Sequence, residues 1–371
     1  MGSVPIGELV RELRASRGWS QGRLASEINE TFGTSLVREY VSGWERGKVR
    51  PGPFYLRCLA TVLEVPLAVL EGGRAPDEPL TGLSATAVAP TVAADLLRVG
   101  FAARLRGGPA VDDWEDRLAV YGTDYMSVGA ADLQRRVVED LFVAQQQLDD
   151  PRMWSVTARL MTLYATTLPR SEGPKAIGWF RMAADAADRS EDRGTRVWVR
   201  GRAALTLGYG GMSPGLADVL ADQAVAIGGR PSAGLLHATM GKAYTAALRG
   251  DRAAALRLAD RGRTVFDAAA TPSEQLSDYA LPAWRMNGFL SLLSARLGDE
   301  KRASRAQAEA RRELPGHLPR FTAHLELHQG LVLTRSGDRA GGLAHAEAAL
   351  EALPSDKHCG TLQMLMDEIR A

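Results

Sequence analysis

The sequence predicts an all-α protein: a small five-helix module followed by a long array of helices. Three observations carry this. Ala, Leu, Arg and Gly dominate the 371 residues, and β-branched clusters are scarce, which favours helix over strand. Before residue 72, apolar residues recur at helical spacing in short segments separated by Gly, Pro and polar turns. From residue 111 onward, amphipathic segments of about 14 to 22 residues alternate with short Gly/Pro/Asp turns.

The charge balance restricts where nucleic acid could bind. Lys and Arg total 45 against 44 Asp and Glu, a net charge of +1, so no global basic field exists and any such signal must be local. One is present. Residues 35–57 hold Arg38, Arg46, Lys48, Arg50 and Arg57 against Glu39 and Glu45. The two cysteines, Cys58 and Cys359, sit in helical patterns and read as buried, reduced thiols of a cytoplasmic protein. No apolar run approaches the roughly 18 residues of a membrane helix, and no basic-then-apolar secretion signal opens the chain. A cytoplasmic location without membrane contact is expected.

Residues 1–72 divide as follows. Pro5 to Arg17 forms the first helix, with Ile6, Leu9, Val10 and Leu13 on one stripe, stopped by Gly18. Ser20 caps a second helix opened by Gln21 and carrying Leu24, Ala25 and Ile28. A turn with Asn29, Gly33 and Thr34 follows. Ser35 then caps a third helix in which Val37, Val41 and Trp44 recur at helical spacing beside Leu36 and Tyr40. Gly47 is placed for a left-handed stop, and Arg46, Lys48 and Arg50 form a basic exit before Pro51. Pro53 starts a fourth helix (Phe54, Leu56, Leu59, Ala60, Leu63). Pro66 starts a short fifth (Leu67, Val69, Leu70). A short helix with a polar front end and a basic exit suits a DNA major groove. By itself it suits a surface helix with a solvated basic end equally well.

The runs LRASRGWSQGRLA and YVSGWERGKVRPGPFYLRCLATVLEVPLAVL resemble the helix-turn-helix domain of Cro/C1-type, xenobiotic-response-element-class repressors. The resemblance spans roughly the first 70 residues and implies a lambda-repressor-like fold that binds a double-stranded operator. It implies that Gln21 bonds phosphate and braces the recognition helix. Arg38 and Glu39 take the base-reading positions, with Ser35 and Val37 within reach of the groove; Arg pairs with guanine and Glu accepts from cytosine. Ser42 lies closer to the backbone, and Arg46, Lys48 and Arg50 meet phosphates, which position without reading. Arg14 and Glu45 match a structural ion pair between the first and third helices. One departure is visible. Residues 29–34 add about a turn of chain, so either Phe32 packs as a staple or the second helix runs longer.

Residues 73–93 are rich in Pro, Ala, Thr, Gly and Ser and read as a linker. Ala93 to Arg106 looks helical (Leu96, Leu97, Phe101, Leu105). The domain division is therefore 1–72, 73–93 and 94–371. In the last part Ala323–Pro354 places Gly330, Gly337, Gly342, Ala346 and Pro354 at the spacings of tetratricopeptide repeats. Trp284–Pro315, Thr157–Asp188 and the stretch around Gly241 and Tyr244 follow, and Asp113–Leu148 and Arg193–Gly228 fit more loosely. A Gly-Asp turn recurs at 250, 298 and 337. The array resembles a tetratricopeptide α-solenoid, whose stacked hairpins present a concave surface. Polar residues on the first helix of each pair are the groove candidates: Arg200, Lys242, Thr245, Arg285, Asn287 and His324, with Tyr164 beside them.

No enzyme chemistry is apparent. His324 and His328 are four apart, but Glu326 does not directly follow the first, as a metalloprotease helix requires. No phosphate loop, GxSxG elbow or CxxC pair occurs, so no catalytic residue, metal or cofactor is expected. The expected function is a sequence-specific transcription regulator, homodimeric on two half-sites, whose array senses a peptide, a small molecule or a protein partner. The alternative is a protein-interaction scaffold tethered to DNA without a small ligand. An open groove lined with Asn, Lys and Arg would favour a peptide, and an enclosed apolar cavity a small molecule.

Overall fold

A computed structural model describes residues 6–32, 34–63, 65, 70, 90–272 and 274–371. Among them there is no strand, and no helix long and apolar enough to cross a membrane. The chain divides into two units, Met1–Thr91 and Val92–Ala371. The expected fifth helix from Pro66 and most of the expected linker lie outside the described residues.

The first unit holds α1 (Ile6–Ser16), α2 (Gln21–Phe32), α3 (Arg38–Glu45) and α4 (Pro53–Val62). Their apolar stripes meet in one core of Leu9, Val10, Leu24, Ile28, Trp44 and Leu59. Helix α1 crosses α3 at Gly7, where a Cβ would stand 2.1 Å from the Trp44 carbonyl oxygen. Only glycine permits that approach.

The extra residues before the third helix lengthen α2, which runs to Phe32; the Phe32 ring is 37% exposed and staples nothing. Ser35 does not cap α3. The residue before α3 is Val37, extended and without a side-chain cap bond. The reason lies in Asn29. Its Oδ1 accepts from Thr34 Oγ1 and the Leu36 N–H, both at 2.6 Å, and its Nδ2 donates to the Leu36 carbonyl at 2.8 Å. These bonds hold residues 34–36 extended and delay the helix to Arg38.

The second unit opens with α5 (Pro90–Arg106). It starts three residues before the expected Ala93, with Pro90 as its first residue, where a missing N–H costs nothing. The linker expected to reach residue 93 therefore ends earlier. Then come α6 (Val111–Ser127) and α7 (Ala130–Ala144). Five antiparallel pairs follow: α8 and α9 (Pro151–Thr167, Gly173–Arg189), α10 and α11 (Arg193–Gly210, Pro214–Ile227), α12 and α13 (Ala233–Leu248, Arg252–Ala269), α14 and α15 (Ala283–Arg296, Glu300–Glu313), α16 and α17 (Pro319–Arg335, Arg339–Glu351). Helix α18 (Gly360–Arg370) ends the array. Among the described residues the architecture is all-α: a small helical unit followed by a stack of helical hairpins.

Local chemistry explains the punctuation. In three of the turns Gly250, Gly298 and Gly337 take positive φ, and Asp251, Asp299 and Asp338 then accept a backbone N–H to cap the next helix. Successive first helices pack backbone to backbone: a Cβ on Gly201 of α10 would lie 1.9 Å from the Gly234 carbonyl oxygen of α12.

The array closes on itself. Residues 274–282, ahead of α14, meet its early helices. There the Asp278 N–H donates to the Gly122 carbonyl of α6 at 2.9 Å, and Tyr279 stacks on Trp198 of α10 at 4.8 Å. Met126 of α6 is buried with Trp284 and Leu318. The array's early helices and residues 274–282 thus pack together.

Candidate nucleic-acid interface and interior cavity

Helix α3 has two chemically distinct faces. Val41, Trp44 and Glu45 are buried. Ser35, Val37, Arg38 and Glu39 are exposed, as are Arg46, Lys48 and Arg50 beyond the helix end, and Ser42 is half-buried beside them. Tyr40 joins the exposed face at 59% rather than the apolar stripe. The basic exit is turned by Gly47 (φ 67°), and the Arg46 Nε donates to the Ser42 carbonyl at 3.1 Å, which fixes its stem along the helix.

The buried face ends in a charged brace. Arg14 of α1 grips Glu45 with both edges, Nε to Oε1 at 2.6 Å and Nη2 to Oε2 at 3.1 Å, and its Nη1 donates to the Trp19 carbonyl. Gln21, the first residue of α2, donates from Nε2 to Glu45 Oε2 at 2.8 Å. One carboxylate therefore ties α1, α2 and α3 together. The hydrogen bond to Glu45 holds the Arg14 guanidinium above its ordinary pKa. Asn29, which sets the start of α3, is a positioning residue that sequence reasoning left as an ordinary turn residue.

Most of the groove candidates of the array are engaged by neighbouring helices. Arg200 of α10 donates to Asp188 of α9 at 2.6 Å and to Gln223 of α11 at 3.1 Å. Lys242 of α12 pairs with Asp222 of α11, and Thr245 donates to Asp218 at 2.6 Å. Asn287 of α14 accepts from Arg263 of α13 at 3.1 Å, and Tyr164 stacks on Trp179 at 5.0 Å. These side chains tie first helices to the adjacent second helices, which carry the complementary groups. Arg285 and His324 line a cavity of about 110 Å³.

That cavity is walled by aromatic rings, including Tyr125, Tyr209, Trp284 and Phe321. Arg202 and Arg285, on its wall, both hold Asp278 behind it, Nε to Oδ2 and Nη2 to Oδ1, each at 2.9 Å. Burial opposes ionisation of Asp278, but the two guanidiniums outweigh it and hold the carboxyl well below the usual carboxylate range. The Tyr209 hydroxyl lies 3.2 Å from both His324 Nδ1 and His328 Nε2, and His328 Nδ1 meets Ser291 Oγ at 3.0 Å. Burial, with His324 and nearby arginines, keeps the His328 imidazole neutral. Both its nitrogens are engaged. Among the described residues, no group of three or more His, Cys, Asp or Glu could hold a metal ion.

Cys359 is less buried than expected. It precedes α18 as its N-cap residue, is half-buried, and contacts Thr361 Oγ1 at 3.1 Å. Burial pushes its thiol up, but the neighbouring His324 outweighs this and brings it down to about 6. Cys58 is buried in the first unit, and burial raises its thiol.

Comparison with known proteins bears on the first unit. Residues 10–70 match a family model described as helix-turn-helix. No curated protein matches the chain. Among solved structures the chain is similar to PlcR of Bacillus thuringiensis, in complex with the peptide PapR7 and DNA. The identity is 12%, over 84% of this chain and 94% of that one, with a TM-score of 0.34. It is also similar to a candidate transcriptional regulator from Listeria monocytogenes EGD-e, at 12% identity over 95% of this chain and 91% of that one, with a TM-score of 0.21. At such scores neither likeness carries an argument about arrangement or ligand. The family match falls on the helices that Glu45 braces, α3 among them. Over residues 10–70 this chain carries a helix-turn-helix domain.

Proposed function

We propose that this protein is a sequence-specific transcription regulator that reads an operator through α3 as a homodimer and holds a small effector inside its helical array. In this reading Arg38 pairs with a guanine edge and Glu39 accepts from cytosine, with Ser35 and Val37 beside them. Gln21, Ser42, Arg46, Lys48 and Arg50 meet the backbone; Gln21 does so with the Nε2 hydrogen that Glu45 leaves available. The dimer follows from the small size of the reading module, which needs two half-sites about one helical turn apart. Helix α5 supports it with Leu97, Phe101 and Leu105, exposed apolar residues four apart on one face. The observation that supports the effector half is the aromatic-walled cavity of about 110 Å³, lined by Arg202, Arg285 and His324. This favours a small molecule over an extended peptide.

The test is selection of duplexes from a random library by the full chain. The expected result is an enriched sequence with two similar half-sites. Arg38→Ala is expected to relax one base pair in each half-site by about 1–3 kcal/mol. Lys48→Ala should weaken binding to every duplex and flatten its salt dependence. Failure to enrich any sequence overturns the reading role of α3. Enrichment of single half-sites overturns the dimer.

A further inference from the structure

The cavity of about 110 Å³ adjoins a second of about 60 Å³, and the two share Tyr125, Phe321 and His324 on their walls. Their electrostatics are one-sided. Arg202 and Arg285 line the first and Arg320 the second, all three buried. Arg170, which is exposed, adds a further guanidinium to the second. No Asp or Glu is among the described residues lining either cavity. The carboxylate behind them, Asp278, is shared by Arg202 and Arg285. Arg320 donates to the Tyr125 carbonyl and Arg170 to the Gly210 carbonyl, contacts that cancel no charge. Three buried cations thus face one buried anion; counting Cys359 as a thiolate still leaves a positive excess. An uncompensated buried charge is unfavourable, so the site gains most from an anion.

The rest of the wall defines what carries that anion. Tyr125, Tyr209, Trp284, Phe289 and Phe321 present aromatic surface. Trp284, only 3% exposed, has an indole N–H without a protein partner. A cavity of about 150 Å³ holds a benzene-sized ring, a size that the first cavity reaches only together with the adjoining second. Guanidinium forks match the two oxygens of a carboxylate in one plane.

We infer that the cavity binds a small aromatic carboxylate, its ring between the aromatic walls and its carboxylate toward Arg202 and Arg285. This rests on the reading of the cavity as the effector site and adds the chemistry of the effector. Cations are repelled by the same arginines, and an uncharged ring leaves the excess charge in place.

The test uses the full chain and four probes in two matched pairs: benzoate against benzyl alcohol, and phenylacetate against its amide. Affinity is read by calorimetry at constant salt, and the melting transition of the array by thermal shift. The carboxylates are expected to bind at least about tenfold more tightly than their neutral partners, the difference a charge-assisted bond supplies. Arg202→Met should abolish that preference and leave the neutral probes bound; Asp278 keeps Arg285 as its partner. Should Arg202→Met fail to fold, Arg320→Gln is expected to reduce the preference in the same direction. Gly288→Leu should exclude all four probes. Gly288 lines the cavity, and a Cβ there meets nothing within 4 Å, so the backbone leaves room for a side chain to start into it. Equal affinity within each pair overturns the carboxylate inference and leaves the cavity reading standing. Binding unaffected by Gly288→Leu, or no binding by any probe at millimolar concentration, overturns the cavity reading itself.

Discussion

Glu45→Ala removes the acceptor shared by Arg14 and Gln21, and the structure sets the size of the loss. The Glu45 side chain is 2% exposed and that of Arg14 14%. The substitution deletes two charge-assisted bonds from Arg14 and one bond from Gln21. Breaking one partner of a buried pair costs about 3–5 kcal/mol. Here Arg14 keeps the Trp19 carbonyl and some access to water, which places the loss near the lower end, about 3 kcal/mol. Hydrogen exchange resolved by peptide mass reads it locally. At about 1.4 kcal/mol per factor of ten, exchange in peptides covering α3 should accelerate roughly 150-fold. Peptides from α14 to α18 serve as the internal reference and should not change. Glu45→Gln, which keeps the shape and one acceptor oxygen, should give about half that free-energy loss, near tenfold. An acceleration below about threefold for Glu45→Ala would refute the argument that this carboxylate holds the three helices together.

Other outcomes follow from the same geometry. Gly7→Ala drives a methyl into the Trp44 carbonyl; it should destabilise the first unit by about 1–3 kcal/mol or more, visible as a lower melting temperature. Asn29→Ala removes all three bonds that hold residues 34–36 extended; a loss of about 2 kcal/mol and weaker binding to a selected operator are expected, checked by urea unfolding and by titration with DNA. The Asp278 carboxyl is depressed in the folded state. Its stabilisation is therefore complete above the ordinary unfolded value near 4 and is lost as pH falls through the folded value, so Asp278→Asn should weaken the array at neutral pH by about 3–5 kcal/mol and remove that acid dependence. Burial depresses His237 and His328 far below their ordinary value. Below about pH 6.5 the unfolded chain then takes up protons that the folded chain excludes, so array stability should fall from pH 7 to pH 5, and His237→Met should reduce the slope measured by urea midpoints.

The sequence carries the helix boundaries wherever a residue acts on its own backbone. Gly-Asp at 250, 298 and 337 marks a left-handed stop followed by a cap, and both are local properties. Ser20 behaves likewise, its hydroxyl accepting the Arg23 N–H at 3.0 Å. Ser35 shows the limit: it is as good a cap by type, but Asn29 already holds its neighbours extended. Thr245 and Asn287 show a second limit. Periodicity places a residue on a helix face, yet it cannot state that the next helix offers Asp218 or Arg263 to engage it.

What the sequence by itself determined is the all-α class, the succession of hairpins and the third helix of the first unit, because spacing, caps and turn residues act over a few positions. Tertiary structure alone decided the cavity. Its lining is drawn from residues as distant as Tyr125, Arg202, Arg285 and His324, and contacts such as Arg320 to the Tyr125 carbonyl join residues 195 apart in the chain. Their meeting depends on curvature accumulated over successive hairpins and on residues 274–282 meeting the early helices. A small rotation per repeat, summed along the stack, leaves no periodic trace in the residues that it brings together.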